Sequence, residues 1–188
     1  MVKKIKIMEY IDIVDKETGK NTGTNKPKPE VHKNGLWHRT VHIWFVNSKN
    51  EIMLQHRSPK MENYPDCWDI SCAGHISSGE DATTGALREI KEEIGLNLPV
   101  DKLNMIGETI QQAVLNNETY FDNEYNNVYL VKADLDINQL QMQESEVKNL
   151  RWIPIPEFKK WVDEKRPNLV PHPEEYPLLF EYLSKEIE

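Results

Sequence analysis

The stretch from Gly74 to Leu96, GHISSGEDATTGALREIKEEIGL, constrains the fold of this 188-residue chain more than any other. Ser78 with an acidic residue three positions later is a capping-box start, and Gly95 is a suitable left-handed end, so we predict a helix over residues 79–94. At about 100° per residue, the helix has an acidic face and an adjacent apolar face. The acidic face holds Glu89, Glu92 and Glu93, and the apolar face holds Leu87, Ile90 and Ile94.

The acidic face has two interpretations. A helix face rich in glutamate is most often a solvated surface. Here Glu89 and Glu93 stand one turn apart, within reach of one hard cation, and three unneutralised carboxylates so close together would repel each other. Arg88, four residues before Glu92, can hold that carboxylate in a fixed orientation. We therefore favour a divalent-cation site on this face.

The spacing of the whole stretch resembles the Nudix box. It matches all nine specified positions of that motif: Gly74, Glu80, Arg88, Glu89, Ile90, Glu92, Glu93, Gly95 and Leu96. The resemblance implies a loop–helix–loop that binds Mg²⁺ or Mn²⁺ and acts on a diphosphate linked to another group. It implies that the three glutamates of the acidic face are metal ligands, directly or through water. By the same resemblance, the backbone carbonyl of Ala73 is a further candidate ligand and Glu80 braces the loop.

Charge and cysteine content narrow the partners and the compartment. With a formal net charge of −8, nucleic acid and anionic membranes would be repelled at long range, so we expect a small diphosphate substrate. Cys67 and Cys72 are too far apart for a bridge in an extended chain, so we interpret them as reduced thiols, which suits the cytoplasm. No apolar run approaches the roughly 20 residues of a membrane span, and the amino terminus lacks a signal-peptide core. We therefore expect a cytoplasmic protein.

Strand and helix signals alternate along the chain. The predicted elements are, in order, a hairpin starting with a strand over residues 5–14, an irregular connection over 21–34, a hairpin of HRTVHIWFVN and EIMLQHR, a short strand WDISCAG, the acidic helix, strands over 103–115 and 119–132 around an Asn116–Asn117 turn, a helical turn DINQL, a strand VKNLRWI, and helices IPEFKKWVDEK and EEYPLLFEYLSKEIE.

This order predicts an α/β protein. Mixed, mostly antiparallel connections favour an α/β/α sandwich with a mixed central sheet, and the Nudix resemblance implies the same fold. We expect a single domain over residues 1–188, with a core over roughly 36–165 and the terminal elements as extensions. Nudix hydrolases are often dimers, so the resemblance leaves a homodimer open.

Three stretches outside the box narrow the resemblance. GLWHRTVHIWFVN, CWDISCAGH and FDNEYNNVYL resemble the isopentenyl-diphosphate isomerase-like branch of the Nudix family, which contains isomerases and isomerase-like hydrolases. The isomerases protonate an alkene with help from a cysteine immediately before the Gly-His pair. That position is Ala73 here, and Cys72, one residue earlier, would point to the other face of a strand. The tryptophan that covers the developing cation has no counterpart after Trp161. We therefore favour hydrolysis over isomerisation.

The isomerases also bind a metal through histidines and two glutamates. His38 and His75 match two of these histidines, and His32 lies near a third. Glu124 matches one glutamate, whereas Asp122 replaces the other. A lone histidine is often a surface or hydrogen-bonded structural residue, so a second metal site formed by the three histidines stays open.

Hydrolysis requires a group that orients or deprotonates water for in-line attack on phosphorus. Because Nudix enzymes place this base variably, Glu89, Glu124 and Glu144 are all candidates. The catalytic residues that we predict are Arg88, Glu89, Glu92, Glu93 and Glu124.

Four side chains are candidates for substrate binding. Arg57 is best suited to hold a terminal phosphate through two parallel hydrogen bonds, with a structural ion pair as the alternative. His75 lies in the box itself. Trp68 and Tyr120 are candidates to flank a base or an apolar group, with core packing as the alternative.

The expected function is Mg²⁺-dependent cleavage of the diphosphate linkage of a nucleoside diphosphate derivative or a similar organic pyrophosphate, with isopentenyl-diphosphate isomerisation as the alternative. Two other classes fit less well. A non-catalytic ligand-sensing Nudix module tends to lose box glutamates, which are all present here. An RNA-cap hydrolase is disfavoured by the acidic balance and by the lack of a basic patch interleaved with aromatic residues.

Overall fold

The computed structural model describes residues 8–186 and is built around a mixed seven-stranded sheet. The strands are β1 (Tyr10–Val14), β2 (Asn21–Pro27), β3 (His38–Val46), β4 (Glu51–Arg57), β5 (Trp68–Asp69), β6 (Cys72–His75), β7 (Asn104–Leu115), β8 (Tyr120–Lys132) and β9 (Val147–Pro154). The helices are α1 (Lys28–Lys33), α2 (Ala82–Ile94), α3 (Ile155–Asp163) and α4 (Glu175–Glu186), with 3₁₀ turns at Val100–Lys102 and Ile137–Gln139. Strands β1 and β2 form a separate antiparallel pair.

The β3–β4 hairpin is paired only beside its turn, at Phe45–Met53 and Val46–Ile52. Beyond those residues the two strands diverge. Strand β6 pairs with β3, which also runs parallel to β8, and strands β5 and β9 pair with β4. The predicted single strand WDISCAG is therefore two short strands that cross from β4 to β3. Between them, the Ser71 hydroxyl accepts from the Phe45 amide and donates to the Met53 carbonyl.

Helices cover both faces of the sheet, which confirms the predicted α/β/α architecture. Helix α2 packs on one face through Ala86, Ile90 and Ile94, in a core that includes Val41, Ile43 and Phe45 of β3. Helices α3 and α4 pack on the other face through Phe158, Trp161, Leu179 and Leu183, in a core that includes Trp44 and Val46 of β3. The two cores take alternate residues of β3 because successive side chains of a strand point to opposite faces.

Helix α2 begins three residues later than predicted. Its N-cap is Asp81 and not Ser78, because the Asp81 carboxylate accepts from the Thr84 amide at 2.9 Å. The Ser78 hydroxyl instead donates to Asp12 of β1 at 2.6 Å, which ties the loop before the helix to the N-terminal hairpin. Gly95 ends the helix with a φ of 73°, in the left-handed region, as predicted.

The prediction that residues 21–34 form an irregular connection is wrong. It contains β2, which is the return strand of the N-terminal hairpin, and α1, whose first turn contains Pro29. Pairing with β1 overrides the turn-forming character of NTGTNKP, since strand formation depends strongly on its neighbours. Residues 5–7 of the predicted first strand and 187–188 of the last helix lie outside the described residues.

The other predicted elements are confirmed. They are the β3–β4 hairpin, strands β7 and β8 around Asn116–Asn117, the 3₁₀ turn at 137–139, strand β9, and helices α3 and α4. Cys67 and Cys72 are free thiols, as expected. Within residues 8–186, no helix has both the length and the apolar character needed to cross a bilayer.

Candidate active site

A cleft of about 1060 Å³ contains most of the residues predicted for the site. Those that line it are Arg57, Ala73, His75, Arg88, Glu89, Glu92, Glu93, Tyr120 and Glu124. The β6 strand and helix α2 contribute the largest share of this set, because the loop between them turns the helix back over the strand.

Two of the three box glutamates are buried in the cleft. Glu89 is 8% exposed and Glu93 is 3% exposed, whereas Glu92 is exposed. Glu93 accepts from the Ala73 amide at 3.1 Å and from the Gln55 side-chain amide at 3.3 Å. Burial raises the pKa of Glu89 to about 7, and burial together with the charge of Glu89 raises the pKa of Glu93 well above its ordinary value. A pair of buried carboxylates with raised pKa values is a donor set that fits a hard divalent cation.

Gly74 allows the Glu89 carboxylate to approach the backbone. A Cβ atom at position 74 would lie 2.1 Å from Glu89 Cδ and 2.2 Å from its Oε1. The carboxylate therefore occupies the space that any side chain at position 74 would take. This contact explains why the motif needs glycine here, fifteen residues before the glutamate that it touches.

Arg88 joins the glutamates of the box into one network. Its guanidinium donates to Glu89 at 2.7 Å, to Glu80 at 2.9 Å and to Glu92 at 3.3 Å, as well as to the His75 carbonyl at 2.8 Å. Glu80 also accepts from the Ser77 amide at 3.1 Å. The expected contact between Arg88 and Glu92 is present, and Glu80 lies where it can brace the loop.

A second cluster brings His32, His38 and His75 together with Asp122 and Glu124. The Nε2 atoms of His32 and His75 are 3.0 Å apart, and His38 Nε2 is 3.5 Å from a Glu124 oxygen. The Nδ1 of His38 donates to the Leu36 carbonyl at 2.9 Å, so Nε2 is left as an acceptor. Among the residues that the structure describes, this buried atom has no hydrogen-bond partner. Burial lowers the pKa of both His38 and His75, which keeps the imidazoles neutral. An unpartnered, neutral imidazole nitrogen facing a carboxylate fits a metal ion.

The pKa values of the two carboxyl groups of this cluster are shifted in opposite directions. Burial and the charge of Asp122 raise the pKa of Glu124 well above its ordinary value. Burial opposes ionisation of Asp122 as well, but its contacts with His32, Glu124 and His38 together outweigh burial and lower the pKa. The two groups therefore titrate as a pair.

A model of the NUDIX domain matches residues 36–172, which is more than half of the chain. The chain belongs to the Nudix family.

Among its relatives is Nudix hydrolase 3 of Arabidopsis thaliana, which is 36% identical over 182 residues and covers 94% of this chain. The match spans 23% of that relative's length. Isopentenyl-diphosphate Delta-isomerase 2 of Photorhabdus laumondii is 29% identical over 147 residues, or 77% of each protein, in keeping with the isomerase-like branch. The solved structure of DR0079 from Deinococcus radiodurans has a TM-score of 0.64 at 19% identity, and the match covers 89% of this chain and 96% of DR0079, so it shares the fold.

Two candidate substrate-binding residues of this Nudix domain have other contacts. The Arg57 guanidinium donates to Asp69 at 2.8 Å and to the Asn63 carbonyl at 3.1 Å, while it lines the cleft. The structural ion pair considered for Arg57 is therefore present. Trp68 lies outside the cleft lining, where its ring stacks on His56 with centroids 4.5 Å apart and packs against the core beneath α3 and α4. Strand β5 directs it there.

Tyr120 and the candidate bases can be placed as well. The Tyr120 ring lines the cleft and stacks on His32 with centroids 4.2 Å apart. Glu144 is exposed and outside the cleft lining, whereas Glu146, two residues later, lines it. The charge of Glu146 contributes to the raised pKa of both Glu89 and Glu93, which places its carboxylate near them.

Sequence reasoning missed a further set of buried polar residues in this Nudix domain. His42 and His172 both line the cleft. His42 bonds to Glu175 at 2.6 Å, and His172 bonds to Asp69 at 2.8 Å. One signal in the sequence points to His42, since it alternates with His38 and Thr40 on the same face of β3. No local pattern marks His172 or Glu175, because Asp69 and His42, to which they bond, are 103 and 133 residues away along the chain.

Proposed function

We propose that this Nudix domain hydrolyses the diphosphate linkage of a nucleoside diphosphate derivative or a similar organic pyrophosphate. Mg²⁺ or Mn²⁺ would be held by Glu89, Glu92, Glu93 and the Ala73 carbonyl. The observation that supports this most is the burial of the two box carboxylates Glu89 and Glu93 in one cleft. Burial disfavours their ionised forms, and a bound cation would offset that cost. When bound, the cation offsets the negative charge on the phosphoryl oxygens and on the leaving group.

The residues around the cluster have supporting roles in this proposal. Arg88 holds Glu89 and Glu92 in fixed orientations, and Gln55 and the Ala73 amide do the same for Glu93. A carboxylate must still orient the attacking water. Glu146 replaces Glu144 as a candidate for this role, beside Glu89 and Glu124, because it lines the cleft.

The test is hydrolysis of a substrate panel with Mg²⁺. Nucleoside diphosphates and triphosphates and isopentenyl diphosphate are followed by release of phosphate or pyrophosphate, and nucleotide sugars and dinucleotide cofactors by formation of the two phosphate monoesters that cleavage of the linkage leaves. We expect Glu93→Gln to remove most turnover and to keep the fold, because the amide preserves the shape of the side chain. Glu164→Gln, at an exposed position at the end of α3, is the matched control. Near-wild-type activity of Glu93→Gln would contradict the metal assignment.

The cluster of His32, His38, His75, Asp122 and Glu124 supports isomerisation of isopentenyl diphosphate as the second candidate, with a divalent cation held by that cluster. Some relatives carry the isomerase name. Two observations count against it. Ala73 occupies the position of the isomerase cysteine, and Cys72 is fully buried in the core under α2.

The two functions depend on different residues and give different products. Hydrolysis of isopentenyl diphosphate would require Glu93 and release phosphate or pyrophosphate, whereas isomerisation would move the double bond and retain both phosphates. Incubation of isopentenyl diphosphate with the wild type and with His38→Ala, followed by product analysis, separates them. A shifted double bond that disappears in His38→Ala would favour the isomerase.

A further inference from the structure

The C-terminal segment contributes a buried pair to the cleft. Glu175, in the first turn of α4, is 1% exposed and lies three residues beyond the stretch that the family model matches. One of its oxygens is 2.6 Å from His42 Nδ1, and the other accepts from Trp44 Nε1 at 2.6 Å. Both carboxylate oxygens are therefore fixed by side chains of β3. His42 in turn has its ring plane and its Nδ1 proton fixed by Glu175.

A neighbouring pair lies beside the first. The His172 ring is 5.3 Å from the His42 ring, centroid to centroid. Its Nε2 is 2.8 Å from Asp69 and its Nδ1 is 3.1 Å from Gln111, and Asp69 also accepts from Arg57 at 2.8 Å. Both nitrogens of His172 are thus engaged within the protein.

His42, His172 and Glu175 are close enough together to be compared with a metal site. The hydrogen bonds argue against one, because three of the four imidazole nitrogens already have protein partners. The exception is His42 Nε2, for which no hydrogen bond is found within residues 8–186. His42 is 5% exposed and lines the cleft that also contains the box glutamates. This nitrogen is therefore available to a ligand in the cleft.

We propose that His42 binds the diphosphate of the substrate, with its Nε2–H donating to a phosphate oxygen and Glu175 positioning the imidazole. A carboxylate as deeply buried as Glu175 needs a cationic or hydrogen-bonding partner, and His42 and Trp44 supply both. An imidazolium held in this way is a charge-assisted donor that suits an anionic ligand. The proposed substrate carries at least two phosphate groups, and the Arg57 guanidinium is largely occupied by Asp69 and Asn63.

This inference rests on the proposed function but is tested by binding. The probe is methylenediphosphonate with Mg²⁺, which carries the diphosphate geometry and cannot be hydrolysed at its P–C–P bridge. In wild-type protein labelled with ¹⁵N, we expect the His42 imidazole signals to shift along a saturable curve as the probe is added. The control is His56, which stacks on Trp68 away from the cleft lining and whose signals should stay in place. A His42 signal that does not move at saturation, or a probe that does not bind, would overturn the proposal.

Two variants separate contact with the ligand from support of the fold. His42→Gln keeps a nitrogen near the position of Nε2, and His42→Asn keeps one near Nδ1. If Nε2 binds the phosphate, Asn should weaken probe binding by roughly tenfold to a hundredfold, as for loss of a charged hydrogen bond, and Gln should weaken it less. With the best substrate of the panel, the Asn variant should raise KM more than it lowers kcat. Equal, unchanged binding by both folded variants would contradict the proposal.

Glu175→Gln tests the positioning role. We expect weaker probe binding and a smaller shift of the His42 signals, while Glu175→Gln still contacts Trp44 through its amide oxygen. The two levels of the argument fail separately. No hydrolysis of any substrate with a His42 response intact would contradict the proposed function alone, whereas Glu93-dependent hydrolysis without a His42 response would contradict this inference alone.

Discussion

Replacing Gly74 by alanine tests the packing of the candidate metal site by a single methyl group. The added Cβ would lie 2.1 Å from Glu89 Cδ and 2.5 Å from its second oxygen. The Gly74 backbone is outside the left-handed region, so alanine can adopt its conformation without strain. The perturbation therefore acts on the Glu89 carboxylate and leaves the strand intact.

The displacement follows from these distances. Non-bonded carbon atoms are best separated by about 3.5–4.0 Å, so the carboxylate must move by roughly 1 Å or more. A misplacement of about 1 Å at an active site can cost on the order of a hundredfold in rate. We expect Gly74→Ala to lower kcat for the best substrate by about that factor, and to weaken Mn²⁺ binding.

Gly74→Ala is compared with the wild type in two assays: formation of the hydrolysis products of the best substrate under saturating Mg²⁺, and Mn²⁺ binding measured by water proton relaxation. Gly85→Ala is the matched control, because it adds a methyl group within α2 whose nearest neighbour, a Glu80 oxygen, is 3.3 Å away. We expect the control to retain most activity, since alanine favours the helix and the neighbour needs to move only slightly. The reasoning is refuted if Gly74→Ala keeps wild-type kcat and Mn²⁺ affinity.

Three other predictions follow from the same structure. In the metal-free protein, the folded-state pKa of Glu89 is about 7, above its ordinary value, so the stability that this group contributes is present at low pH and is lost as pH rises through about 7. Because Mg²⁺ binds the ionised form, Mg²⁺ should raise Tm more at pH 8 than at pH 6. An equal rise in Tm at both pH values would contradict this. Gly95→Ala should lower the free energy of unfolding by at least about 1 kcal/mol in a denaturant titration, because of its φ of 73° and a contact of 2.8 Å with the Gln141 side chain; a loss below about 0.5 kcal/mol would count against strain there. Phe158→Ala should cost about 3–5 kcal/mol in the same titration, and a much smaller loss would mean that the core under α3 closes around the cavity.

The elements predicted best are those whose signal is local. The alternation in β3 and β4, the turn at Asn116–Asn117 and the apolar face of α2 are all read from neighbouring residues. The sequence did not predict strand β2, because β2 forms by pairing with β1 although its own residues, NTGTNKP, are largely turn formers. Helix α1, which follows β2 directly, was not predicted either. Local preference alone favours an irregular segment there.

The candidate site divides in the same way. The box residues lie within one helix and the short segments on either side of it, so their spacing predicts their proximity. His32 reaches the second cluster only because α1 forms, and its bond partner His75 is 43 residues away. Glu175 is 133 residues from His42. Contacts over such distances are set by the topology of the whole sheet, and no periodic pattern in one sequence encodes them.

The register of β6 bears on the choice between the two candidate reactions. Ala73 is paired with His42 and Cys72 with Ile43, so consecutive residues point to opposite faces of the strand. The face that includes Ala73 borders the cleft, and the face that includes Cys72 lies in the core under α2. Burial and the nearby Glu93 raise the pKa of the Cys72 thiol, which suits an inert core residue.

A proton donor to an alkene would have to stand at position 73, where this chain has a methyl group. Cleavage of a diphosphate needs no acid there, because Ala73 contributes through its backbone, with its amide already bonded to Glu93. The strand register therefore favours hydrolysis over isomerisation, and the residue that decides this is Ala73, which stands at the position of the isomerase cysteine.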